Sequence, residues 1–74
     1  MKTYPALIHK DPDSCYGVTF PDFDGCVSAG DTLEEAVKMA HEALEFHIEG
    51  MVTAGEEIPE PPLAIIEVAV KVKS

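Results

Sequence analysis

The residues able to do chemistry in this chain are three histidines, two cysteines and fourteen acids. Metal binding needs such groups to converge. His41 and His47 stand six apart in a predicted helix, about 240° around its axis, so they cannot chelate one ion together. His9, Cys15 and Cys26 fall on neighbouring predicted strands, but the two cysteines lack the close paired spacing of a zinc or redox motif. Cys26 follows a glycine turn and reads as a small core residue, since free cysteine is often buried. His47 borders the apolar face of its helix and reads as a packed edge residue. Asp22 and Asp24 share one turn and read as solvated turn acids. No Ser-His-Asp grouping and no phosphate-binding glycine motif is visible. The residues therefore imply no cofactor, no metal and no catalytic centre.

The charge is the stronger signal. The chain carries five lysines, no arginine and a net charge of −9. Residues 11–60 hold thirteen acids against Lys38 alone, a local charge of −12, while residues 1–10 carry +2 and residues 61–74 carry +1. Phosphates need a basic footprint, so direct nucleic-acid binding by this chain is not expected. A basic protein partner fits by electrostatic complementarity. There is no apolar run long enough to span a bilayer and no signal peptide, so a cytoplasmic protein without membrane contact is expected.

The elements that must position these acids follow from periodicity. Residues 3–10 alternate, with Tyr4, Ala6 and Ile8 on one face and Leu7 and His9 on the other. A turn at 11–14 leads to a second strand over 16–20, where Tyr16, Val18 and Phe20 share a face. The short loop makes these two an antiparallel hairpin. Residues 21–25 turn the chain, and 26–29 form a third strand ended by Gly30. Thr32 is placed to cap a helix, with Glu35 three residues on in a capping-box pattern. Leu33, Val37, Ala40, Leu44, Ile48 and Met51 then form an apolar stripe, and the helix runs to about Ala54, with Gly55 past its end. A proline-rich loop over 56–62 precedes a last strand over 63–73, with Ile66, Val68, Val70 and Val72 on one face.

The expected fold is a single α+β domain over 1–74, ordered β-β-β-α-β. Its four-stranded mixed sheet has strand order 3-2-1-4, with one helix on one face. A single helix leaves the other face bare, with Leu7 and Ile65 on it, so a homo-oligomer, a dimer, is expected. The order matches the front half of a ribonuclease-H-like fold. Two-metal nucleases need converging carboxylates, and residues 3–10 contain none.

The run Tyr16-Gly17-Val18-Thr19-Phe20-Pro21-Asp22-Phe23-Asp24-Gly25-Cys26, followed by Ala29-Gly30-Asp31-Thr32-Leu33-Glu34-Glu35-Ala36, resembles the N-terminal domain of HicB antitoxins. The acidic helix and Gly55-Glu56-Glu57-Ile58-Pro59-Glu60-Pro61 also follow that pattern, so the resemblance covers nearly the whole chain. It implies a partial ribonuclease H fold without catalytic acids, and a partner of the HicA type, a small basic toxin that cleaves messenger RNA. Many family members continue into a DNA-binding segment, which this chain, ending at Ser74, is expected to lack. Asp24 stands where proline is frequent in the family. Candidate partner-contacting residues are the exposed acids Asp22, Asp24, Glu42, Glu45 and Glu49. A second reading is a stand-alone oligomeric protein-interaction scaffold without a toxin.

Overall fold

The computed structural model describes residues 2–10 and 12–72. Strands β1 (Leu7–Lys10), β2 (Tyr16–Thr19) and β3 (Val27–Gly30) precede one helix, α1 (Leu33–Ala54). They form a three-stranded antiparallel sheet in order β1-β2-β3. Ile8 stands opposite Val18, and Val18 opposite Ser28, so these three share the face toward the helix. The hairpin turn between β1 and β2 places Asp13 at φ 64°, a left-handed conformation that aspartate tolerates better than most residues.

The helix is bounded as its sequence requires. Thr32 is extended, and its hydroxyl accepts from the Glu35 amide at 3.0 Å. Glu34 and Glu35 lie at the positive end of the helix dipole. At the other end Gly55 adopts φ 76°, and the Glu56 amide donates to the Met51 carbonyl at 2.9 Å, closing a Schellman-type cap.

Small residues decide where the helix sits. It lies over β3 and, less, over β2, and does not reach β1. Gly30 closes β3 opposite Tyr16 rather than ending the strand early. A Cβ there would strike the backbone nitrogen of Ala36, so only glycine admits the helix this closely. Ala36 and Ala40 are the buried helix residues, and they join Val18, Phe20, Phe23 and Cys26 in the core. Leu44, Ile48 and Met51 pack against that core, as the stripe predicts. Leu33 and Val37 do not: they remain 51% and 53% exposed. The helix is rolled so that Ala36 meets the end of β3, and Val37 is left beside an open groove that Ile8 of β1 also lines.

The expected fourth strand is the main departure. Among the described residues, 63–72 carry no strand, so the sheet has three strands rather than four in order 3-2-1-4. Lys73, also assigned to that strand, lies outside the described residues. The physical reason lies in the preceding loop. Tyr4 donates its hydroxyl hydrogen to the Pro59 carbonyl at 2.6 Å, and Lys2 pairs with Glu60 at 2.9 Å. These contacts, with Ile58 packed on the core, lead the chain away from β1 before it can pair there. The first strand is also shorter than its alternation suggests, starting only after Pro5, which cannot donate to a ladder.

Candidate partner-binding surface

The turn between β2 and β3 sets the first two acids. The Phe23 amide donates to the Phe20 carbonyl at 3.1 Å, and the Cys26 amide to the Phe23 carbonyl at 3.3 Å. Gly25 takes φ 76° between them. Phe23 is buried edge-on between Tyr4 and His47, with ring centroids 4.9 and 5.7 Å away, so the turn is fastened to the middle of the helix. His47 is thus the half-buried edge residue its position implied. Asp24 is exposed at the turn's tip. Asp22 is turned partly inward, and its Oδ2 is enclosed without a hydrogen-bond partner among the described residues.

The three helix acids lie on the side away from the sheet. At 100° per residue, Glu42, Glu45 and Glu49 fall within about 60° of arc, opposite Ala36 and Ala40. All three are exposed. Glu45 lies 3.5 Å from His41 Nε2, a salt bridge when the imidazole is protonated. Glu42 and Glu49 have no ion-pair partner among the described residues.

The structure adds a residue that sequence reasoning missed. Phe46 is 80% exposed. It lines a shallow depression of about 350 Å³ with Gly25, Cys26, Val27, Ala43 and Gly50. A second shallow depression joins Phe46 to Glu49 across Gly50. Glu42 is one helical turn from Phe46. The exposed ring therefore has Glu49 beside it and Glu42 one turn away, with Asp24 next to the lining residue Gly25 in the turn, while Glu45 borders a groove on the opposite flank of the helix. The signal for Phe46 was an aromatic off the apolar stripe, which has no place in its own core.

Among the described residues no group of three His, Cys, Asp or Glu is placed to hold a metal ion. Cys15 is exposed and Cys26 buried, and both are free. Burial pushes the Cys26 thiol above its ordinary pKa, against the thiolate a nucleophile needs. Its Sγ lies 3.9 Å from the Ala43 carbonyl. Among the described residues, no helix is long and apolar enough to cross a membrane.

These features define a small α+β domain carrying its acids on an open surface rather than in a cleft. The family model for "HicB-like antitoxin of bacterial toxin-antitoxin system" matches residues 4–72, and the chain belongs to that family. It is similar to the crystal structure of the Burkholderia pseudomallei antitoxin HicB, with 41% identity, TM-score 0.71, and coverage of 78% of this chain and 44% of that one. A chain of the HicA3 and HicB3 toxin-antitoxin complex matches at 39% identity and TM-score 0.69, over 82% of this chain and 70% of its own. An uncharacterized 14.9 kDa protein of Haemophilus phage HP1 is 54% identical over 57 residues, 77% of this chain and 42% of the phage protein. The chain thus spans less than half the length of the phage protein and of the Burkholderia antitoxin.

Proposed function

We propose that this chain neutralises a basic, HicA-type mRNA-cleaving toxin by binding it directly, and is not itself an enzyme. The observation that carries this is its likeness to a chain of the HicA3 and HicB3 complex. Its own chemistry supports the reading: the −12 segment would draw a basic protein and repel an acidic one. The contact surface is the Phe46 flank. Phe46 and Val27 supply apolar area and Glu42 and Glu49 the charged rim, with Asp22 and Asp24 in the adjoining turn; Glu45 lies across the helix and would be reached only by a partner that wraps over it. By covering the toxin's basic surface the chain would compete with RNA for it. The chain works in the cytoplasm as a homo-oligomer, a dimer, and does not contact nucleic acid itself.

The test is co-expression with the small basic protein encoded beside its gene. Growth should be restored and messenger RNA cleavage suppressed. A neighbouring protein that neither binds the chain nor loses toxicity would sink the proposal.

A further inference from the structure

The flank opposite Phe46 is unfinished. Between β1 and the helix runs an open apolar groove of about 200 Å³, lined by Ala6, Ile8, Val37, Ala40, His41 and Leu44. It continues through His41 and Leu44 into a second groove of about 370 Å³ bounded by Tyr4 and Ile58. Among the described residues β1 is an edge strand, with no strand paired on its outer side. The half-exposed Val37 looks over the same gap.

The chain also carries an unused strand. Residues 63–72 alternate, with Ile66, Val68, Val70 and Val72 on one face, and these four are 72–80% exposed. Such a face needs a partner. The chain exposes 6236 Å², whereas a compact monomer of 8.0 kDa would expose roughly 4,450 Å². The excess of about 1,800 Å² is of the order that a stable protein interface buries. The radius of gyration, 14.4 Å, exceeds the roughly 11 Å of a compact chain this long, which fits an arm held away from the body.

We propose that residues 63–72 of one protomer add as a fourth strand to the free β1 edge of a second copy, and that the exchange is reciprocal. It deepens the dimer reading above and rests on it. Ile66, Val68, Val70 and Val72 close the groove over Ile8 and Val37, and Glu67 and Lys71 face outward. The backbone ladder gives affinity and the alternate side chains give register. Reciprocity closes the assembly on a two-fold axis and leaves no further edge of this kind.

Two observations favour a second copy over the chain's own tail or another protein. The loop runs from beside Tyr4 to beside Lys2, that is, away from its own β1, and Pro61-Pro62 stiffens it there. Charge is the other. Two chains of −9 repel, yet residues 2–10 carry no acid and residues 63–72 carry Glu67 against Lys71. This seam is the region where two such acidic chains can meet without like charges opposed.

The experiment is light scattering of the full chain from about 0.5 to 100 μM, with amide hydrogen exchange at both ends of that range. A dimer is expected whose 63–72 amides are protected only when dimeric. Val68→Pro removes a ladder donor from an arm that its own protomer does not use, so the helix content should hold while dimer dissociation rises about tenfold or more. Phe46→Ala, on the opposite flank, should leave the dimer unchanged. A dimer indifferent to Val68→Pro overturns the exchange and spares the dimer reading. A monomer overturns both, whether its tail is protected on its own β1 or exchanges freely. Protection that appears only on adding the basic partner assigns the groove to the toxin and also overturns the exchange.

Discussion

Replacing Phe46 with alanine separates binding from folding. The ring is 80% exposed, so its own protomer touches little of it, and unfolding free energy should change by no more than about 0.5 kcal/mol. A phenylalanine offers roughly 200 Å² to bury, and four-fifths of that at about 25 cal/mol per Å² is about 4 kcal/mol if a partner covers it completely. That is a ceiling, because alanine keeps part of the area and the bound ring loses freedom. Central aromatic anchors commonly lose 2 kcal/mol or more on truncation. A loss of about 2–3 kcal/mol is therefore expected, raising Kd for the basic partner about 30- to 150-fold. Calorimetric titration at fixed ionic strength measures this, and differential scanning calorimetry checks the fold. Replacing Glu42 and Glu49 with glutamine should instead slow association and flatten its salt dependence. An unchanged Kd for Phe46→Ala, with the transition temperature also unchanged, would refute the placement of the toxin on this flank.

Two glycine-to-alanine changes should move stability in opposite directions. At Gly30 the new Cβ would meet Ala36 backbone, with Ala36 Cα at 2.7 Å, and such overpacking costs about 1–3 kcal/mol, lowering Tm by about 4–8 °C per kcal/mol in calorimetry. At Gly50 nothing lies within 4 Å, so removing backbone freedom should stabilise by about 0.5–1 kcal/mol and raise Tm. Thr32→Ala removes the hydroxyl that accepts from Glu35 and should cost about 1 kcal/mol in denaturant unfolding. A thiol reagent should find Cys15 at once and Cys26 only on unfolding. Because burial raises the Cys26 pKa, its share of stability is whole below the thiol's ordinary value of 9.0 and is lost as pH rises from there through the raised native value.

What the sequence made legible was local. Thr32, Gly55 and the two turns act through neighbours a few residues away, so their types mark where the helix and hairpins begin and end. The antiparallel order of the first three strands followed from short loops. The roll of the helix did not follow, because periodicity shows which side is apolar but not which line of it meets the sheet. That line was set by Gly30, across a close approach to Ala36, and it left Leu33 and Val37 half exposed. The 63–72 alternation showed a segment built to pair and could not say with what. The acids were chosen by charge and exposure alone. Only the fold shows that Glu45 borders one flank while Glu49 borders the other, beside an aromatic ring that lies off the stripe.

The two proposed interfaces should respond to salt in opposite ways. The toxin surface joins an acidic rim to a basic protein, so its attraction is screened as ions are added; the Debye length falls from about 10 Å at 0.1 M to about 3 Å at 1 M. The β1 edge and the 63–72 arm join nearly neutral seams on two chains that each carry −9, so the same screening removes only repulsion. Raising salt should therefore weaken the complex with the basic partner and leave the dimer equally stable or tighter. Sedimentation of the chain alone and of the mixture, over one salt series, reads both equilibria. If the dimer dissociates with added salt, its contacts are ionic and lie among the acids, and the assignment of the β1 edge to a second copy is wrong. If the mixed complex survives 1 M salt undiminished, the acidic rim does not bind the toxin, and its affinity comes from apolar contact alone.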